Sequence, residues 1–328
     1  MGSAENILTV EGLRTYFFTK AGIIKAVDGV DFEVGAGKIV GLVGESGSGK
    51  SVTGFSILRM LDPPGKVVDG AIRFRGEDLL ALTEPEMRKL RGNRIATIFQ
   101  DPMMTLNPVL RIDTQMIEAI VAHDNVSHPD ARQRARAALV DVGIPSPDER
   151  LRAYPHHLSG GMRQRVCIAI AMLHRPDLII ADEPTTALDV TLQAQILSLT
   201  QKLCRDTGTS LIWITHDLSV VAGLADDIAV MYAGRIVERG NVDEVLDYPI
   251  HPYTRGLIAS IPSNNARGKP LRQIPGSSPS LLDLPSGCSF RPRCPQADDL
   301  CGEEPPVTVF HAGRHARCFH PNVEAKPA

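Results

Sequence analysis

Eight consecutive residues, Gly44-Glu45-Ser46-Gly47-Ser48-Gly49-Lys50-Ser51, fit the pattern G-x-x-x-x-G-K-[ST] without a mismatch. They follow the apolar run Lys38–Val43 and precede a helix-compatible stretch that begins Ser51-Val52. In that context the glycines let successive N–H groups turn inward on a chain of phosphates, and the helix behind adds its positive end. The Lys50 ammonium suits the β- and γ-phosphates of ATP, and the Ser51 hydroxyl suits a Mg²⁺ ion on them. A glycine turn that merely precedes a helix is the plainer alternative, set aside because strand, loop and helix are all in place.

A second constellation is acidic. Leu178-Ile-Ile-Ala-Asp182-Glu183 is an apolar run that ends in two carboxylates. Asp182 suits Mg²⁺, and Glu183, facing differently, can polarise an attacking water. Alone, the pair would read as an acidic helix cap; beside a phosphate loop it reads as hydrolytic. Leu158-Ser-Gly-Gly-Met-Arg-Gln-Arg165 supplies a third element. A hydroxyl, two unobstructed backbone N–H groups and a helix N-terminus make a second phosphate grip. One nucleotide needs only one phosphate loop, so a second grip points to a nucleotide shared between two chains. Gln100 and His216 each end an apolar run. Either would be uninformative by itself.

The elements that must hold these residues read as α/β. Ile7–Val10 and Leu13–Phe18 predict short strands, and Lys38–Val43 and Ile95–Phe99 predict two more. Leu178–Ala181, Leu211–Ile214 and Ile228–Tyr232 are the short, wholly apolar runs of buried parallel strands. Thr191–Arg205, closed by Gly208, and residues 131–142, closed by Gly143 and Pro145, predict helices. Residues 103–165 lack a strong strand and read as a helical insertion.

Of 24 prolines, 13 lie in residues 246–328, so the tail differs in composition from the rest. The net charge of -3 gives no reason to expect a nucleic-acid partner. No apolar run approaches the roughly 20 residues of a membrane span, and the N-terminus lacks signal-peptide order. The expectation is a cytosolic chain whose membrane role, if any, comes through a partner. Cys167 and Cys204 sit in apolar helical contexts and predict buried thiols. Cys288, Cys294, Cys301 and Cys318 crowd into the tail with spacings x5, x6 and x16. These fit neither the usual zinc pairs nor the common ferredoxin runs, and spacing alone says only that four thiolates can converge.

The motifs and their order resemble the ATP-binding cassette (ABC) ATPases over about residues 5–245. The resemblance implies a P-loop NTPase (RecA-like) core with an N-terminal antiparallel β-subdomain, a helical insertion at about 103–165, and a C-terminal extension over 246–328. It makes Gly44, Ser46, Gly47, Gly49, Lys50, Ser51 and Val52 the Walker A contacts of ATP. Gln100 becomes the Q-loop residue, sharing Mg²⁺ with Ser51 and Asp182. Ser159, Gly160, Gly161 and Gln164 form the signature that closes on a partner's ATP. Glu183 and His216 become catalytic, and Asp189 belongs to the D-loop. An aromatic stacks on adenine in that family; Phe17 is the first choice here and Tyr16 the second.

His251-Pro252-Tyr253-Thr254, Ile261-Pro262 and the four tail cysteines resemble the C-terminal extension of the oligopeptide and dipeptide importer ATPases. That resemblance implies a [4Fe–4S] cluster on Cys288, Cys294, Cys301 and Cys318. Zinc, with His311, His315 or His320 joining, and reduced thiols without metal stay open. The implied function is the ATP-hydrolysing subunit of an importer at the cytoplasmic face of the inner membrane. Its partners would be a second, homologous cassette chain, two transmembrane permeases and an extracytoplasmic substrate-binding protein. Peptides fit the tail best; nickel, glutathione and oligosaccharides are the alternatives. A soluble cassette ATPase acting on DNA or ribosomes is disfavoured. Only 57 residues separate Gln100 from Leu158, too few for a long coiled coil, and the chain holds one cassette.

Overall fold

The computed structural model describes residues 6–186, 188–262, 265, 268 and 270–322. The chain divides into two units. One is built chiefly from Ala81–Ile212 with Gly35–Lys38; the other comprises Leu8–Val34, Ile39–Leu80 and the chain from Trp213 onward.

The second unit begins with β1 (Asn6–Thr19) and β2 (Gly22–Gly35). Inward and outward side chains alternate along much of both, as strands buried on one face require. The two short strands expected at Ile7–Val10 and Leu13–Phe18 are one strand with an irregularity. Its register against a later strand shifts between Glu11 and Arg14, where Gly12 adopts φ 54°. The five residues of β3 (Ile39–Val43) are all buried, and α1 (Lys50–Leu58) follows the glycine loop. β4 (Gly65–Phe74) and β5 (Glu77–Asp78) complete an antiparallel sheet of order β2-β1-β4-β5. β4 has no continuous apolar run; cross-strand pairing with β1, Leu8 opposite Phe74 and Val10 opposite Ile72, holds it.

The other unit opens with α2 (Glu84–Leu90), which Thr83 and Glu86 cap reciprocally. β6 (Ile95–Ile98) follows, then α3 (Ile112–Val121), α4 (His128–Asp141) and α5 (Pro147–Leu151). These three helices occupy the stretch expected to be a helical insertion. α4 packs on α3, α5 and α6 (Gly160–Met172). Arg132 pairs with Asp113 at 2.6 Å across α3 and α4, and Arg136 with Asp148 at 2.8 Å across α4 and α5. The α6 helix starts at Gly160 because Ser159 caps it. β7 (Leu178–Asp182) runs parallel to β6, Ile95 opposite Leu178 and Ile98 opposite Ala181. α7 (Val190–Thr207) ends at Gly208 in the left-handed conformation, as the sequence indicates.

β8 (Ser210–Thr215) carries the chain into the second unit. There α8 (Leu218–Ala222) leads to β9 (Asp227–Tyr232), parallel to β3 with Val40 opposite Asp227, and β10 (Arg235–Asn241) turns back along β9. α9 (Val242–Asp247) and α10 (Pro252–Ala259) follow. The tail is less separate than its composition suggests. Its strands β11 (Val307–Val309) and β12 (His315–Arg317) extend the sheet edge, β12 pairing with β10. Tyr253 and Phe290 share a core with Val43, Val230 and Tyr232, and Cys288 and Cys294 pack against it. A segment too poor in apolar residues for a core of its own thus borrows one. Fully buried Glu238 on β10 stitches the two together: it accepts the N–H groups of Ile250 and His251, each at 2.9 Å, and pairs with Arg314 at 2.7 Å.

Candidate nucleotide site

The loop between β3 and α1 needs its glycines. Gly44 adopts φ 156°, and a Cβ there would lie 2.1 Å from the Met231 carbonyl oxygen. Gly49, at φ 103°, would bring a Cβ 2.1 Å from that of Ala26. Gly49 occupies the N-cap of α1 without a side-chain cap, so no side chain plugs the positive end of that helix. Ser46 and Gly47 are exposed, while Ser51 and Val52 are half-buried in the first turn. Lys50 is buried, and its ammonium donates to the carbonyls of Gly44 at 2.8 Å and Glu45 at 3.0 Å.

Of the two aromatics on β1, Tyr16 is committed to a network. Its hydroxyl donates to Asp28 at 2.7 Å, and Asp28 also pairs with Arg235 at 2.8 Å. Burial and that bond push the phenol up to about 12. Phe17 is half-buried and lies opposite Gly65, where a Cβ would meet its ring at 2.7 Å. His216 is exposed just beyond β8, in the same unit; the next residue, Asp217, caps α8 through the Ser219 N–H.

In the other unit β6 and β7 bring together Gln100 and Glu183, 83 residues apart: Nε2 of Gln100 lies 3.5 Å from Oε2 of Glu183. Thr186 donates to the same oxygen at 3.0 Å. Asp182 ends β7 with 9% of its surface exposed. Glu183 adopts φ 45°, a left-handed backbone that costs a non-glycine residue about 1–3 kcal/mol and that clusters at functional positions. The Ser159 hydroxyl accepts the Met162 N–H at 3.3 Å at the start of α6, so that end already carries one cap. A Cβ on Gly161 would lie 3.2 Å from Leu192 Cδ1 of α7, so Gly161 permits close helix packing as well as an open N–H. Gln164 is buried, its Nε2 unpartnered among the described residues. Asp189 caps α7 through the Leu192 N–H at 3.0 Å.

All six cysteines are free thiols. Cys167 and Cys204 are buried as expected, and burial pushes both up to about 12. The other four belong to one neighbourhood. Burial raises Cys288, Cys294 and Cys318, the last to about 11. Cys288 N–H donates to the Cys301 carbonyl at 3.0 Å, and a Cβ on Gly287 would lie 2.4 Å from the Gly302 backbone, so two strips of main chain touch there. Backbone N–H groups of Gln296 and His320 reach the sulfurs of Cys294 and Cys318 at 3.4 and 3.3 Å.

Glu45 is the residue that motif reasoning passed over, since the pattern leaves its position open. Its carboxylate takes a two-pronged bond from Arg293 at 2.7 and 2.9 Å and another from Ser278. Its N–H donates to the Tyr253 hydroxyl at 2.9 Å. The His-Pro-Tyr run noted in the sequence was the available signal. Buried His251 caps α10 by accepting the Tyr253 N–H at 3.0 Å, and α10 then delivers the Tyr253 hydroxyl to the loop.

Residues 27–186 match the ABC transporter family, and residues 237–301 match the oligopeptide/dipeptide transporter C-terminal region. Among solved structures, a dimeric ATP-binding cassette described as a post-hydrolysis state of MJ0796 bound to ADP and Pi is similar. Its TM-score is 0.65 at 26% identity, covering 72% of this chain and 98% of that one. The P-loop, the antiparallel sheet and the parallel strands therefore define an ABC ATPase cassette, a P-loop NTPase fold. The chain is 48% identical over 321 residues to the oligopeptide transport ATP-binding protein OppD of Escherichia coli, covering 98% of this chain and 95% of that protein. It is 50% identical over 315 residues to AppD of Bacillus subtilis, and 47% identical over 326 residues to the dipeptide transport ATP-binding protein DppD of the same organism. The chain belongs to the family of oligopeptide and dipeptide transport ATP-binding proteins. Among the described residues no helix is long and apolar enough to cross a membrane.

Proposed function

We propose that this chain is the ATP-hydrolysing subunit of an ABC importer for di- and oligopeptides. The match of residues 237–301 to the oligopeptide/dipeptide transporter C-terminal region supports the peptide class, and the meeting of Gln100 with Glu183, just beyond the strand that Asp182 ends, supports hydrolysis. On this reading ATP lays its phosphates along Gly44–Ser51. Lys50 leaves the carbonyls of Gly44 and Glu45 for the β- and γ-phosphates, a short swing to a stronger, charge-assisted partner. Ser46, Gly47 and Gly49 contribute loop contacts, and Val52 extends them into α1. Phe17 stacks on adenine in preference to Tyr16, whose hydroxyl is already bound to Asp28.

Ser51, Gln100 and Asp182 would hold Mg²⁺, an all-oxygen donor set that suits this hard cation. When bound, the ion neutralises charge developing on the transferred phosphoryl group. Glu183, braced by Gln100 and Thr186, orients and polarises the attacking water. His216 senses the γ-phosphate. Ser159, Gly160, Gly161 and Gln164 at the head of α6 complete the site of a second cassette, with Asp189 of the D-loop beside them. That partner is a homologous chain, and the pair sits on two permease subunits at the cytoplasmic face of the inner membrane, served by an extracytoplasmic substrate-binding protein. We divide the chain into a cassette at 1–245, with the helical insertion at about 103–165, and an extension at 246–328.

Cys288, Cys294, Cys301 and Cys318 would hold a [4Fe–4S] cluster. What supports this is an all-thiol donor set, the backbone bond between Cys288 and Cys301, and N–H donors to two of the sulfurs. A bound cluster ties distant loop segments together and can exchange one electron. The competing reading is zinc: ligand atoms of Asp298, Cys301 and His320 lie within 4.8 Å of one another. Asp298 and His320, however, already pair at 3.0 Å.

The test of the hydrolytic assignment is Glu183→Gln in the assembled transporter. We expect Mg²⁺-ATP to be retained and turnover to fall at least about 100-fold. Wild-type turnover would remove Glu183 from the role.

A further inference from the structure

The phosphate loop is gripped from outside the cassette core. Arg293 closes a short helical turn, Arg291–Arg293, immediately before Cys294. Its guanidinium is buried, 5.8 Å from the Tyr232 ring centre and 6.0 Å from that of Phe290, with Nε donating to the Pro275 carbonyl at 2.9 Å. Its two remaining nitrogens fork onto both oxygens of Glu45. An Arg–carboxylate fork fixes the carboxylate in position and orientation, and here the partners are 248 residues apart.

Glu45 is no bystander in the loop. Its carbonyl accepts the Lys50 ammonium at 3.0 Å and the Ser48 N–H at 3.2 Å, and its N–H is held by Tyr253. Its carboxylate is a negative charge beside a loop built for a polyanion. Without a counter-charge it would repel phosphates and compete with them for Lys50.

We propose that Arg293 is a positioning residue for ATP binding: it neutralises and immobilises Glu45, so that the C-terminal extension sets the charge and resting shape of the phosphate loop. This rests on the reading of Gly44–Ser51 as the ATP loop. The extension is then a working part of the nucleotide site, reaching it through one ion pair and one hydroxyl.

The test is isothermal titration of the full chain with Mg²⁺-ATP. Arg293→Gln is expected to weaken binding about tenfold, which corresponds to ~1.4 kcal/mol. Glu45→Gln added to Arg293→Gln removes the stranded charge and is expected to recover most of that loss, a rescue that a purely structural role for Arg293 would not produce. Thermal melts check that each variant folds. Should Arg293→Gln fail to fold, Arg293→Lys keeps the charge but loses the fork, and about threefold weaker binding is expected. The proposal is overturned if the folded Arg293 variant binds as the wild type does, or if the double variant binds no tighter than Arg293→Gln. Lys50→Ala is titrated in parallel. Wild-type affinity there would overturn the reading of the loop itself, whereas a loss there with no effect at Arg293 would overturn this inference alone.

Discussion

His251 makes the stability of the second unit acid-sensitive by a calculable amount. The ring is fully enclosed; burial drives its pKa down to about 3, against which a bond to the Arg317 backbone works only in part. The charged groups on the elements around it are committed elsewhere: Glu238 takes the His251 backbone N–H and pairs with Arg314. An exposed imidazole titrates at about 6.5, so below that pH the unfolded chain binds a proton that the folded chain refuses. The folded-state pKa is depressed, so the stability is whole above 6.5 and declines as pH falls toward 3. At pH 5.0 the loss from this one group is about 2 kcal/mol. The perturbation is His251→Asn, which can still cap α10 and cannot titrate. The assay is urea unfolding at pH 7.5 and 5.0, followed by the fluorescence of Trp213, the sole tryptophan, which is buried in the same unit. The wild type should lose about 2 kcal/mol more than the variant between the two pH values. Equal losses would show that His251 is either protonated when folded or already shielded when unfolded, and the argument would fail.

Lys50→Ala should weaken ATP binding about 10- to 100-fold, the range for losing charge-assisted bonds, and equilibrium titration reads it directly. Phe17→Ala should weaken ATP by about 1 kcal/mol while Tyr16→Ala leaves it near the wild-type value; the reverse order would exchange the two assignments. Anaerobically purified protein should be brown and carry iron with acid-labile sulfide, and Cys294→Ser should bleach it. Colourless protein with one zinc per chain would favour Asp298, Cys301 and His320 instead.

Local chemistry was the legible part of this chain. Gly44–Ser51 could be recognised because steric need, charge and helix polarity all fall within eight adjacent residues. Apolar runs betrayed β3, β7, β8 and β9 for a similar reason: strands buried on both faces write their burial into every residue. β4 was hidden because its outward face carries Lys66, Asp69 and Arg73 and only its pairing with β1 makes it a strand. The start of α6 is set by the Ser159 cap, which acts across only three residues and overrides two glycines that disfavour a helix interior. Gln100 meeting Glu183, and Arg293 meeting Glu45, depend on folding the chain first. The left-handed backbone of Glu183 has no signal in its residue type, since glutamate rarely adopts it.

The fork between Arg293 and Glu45 also carries a timetable. A chain is made from its N-terminus at about 5–20 residues per second, so residue 293 follows residue 45 by roughly 12 to 50 s. For that interval a nascent chain holds a complete phosphate-loop sequence whose glutamate has no guanidinium to answer it. A chain cut short before Arg293 would retain every residue of the cassette motifs and leave Glu45 without the fork that Arg293 supplies.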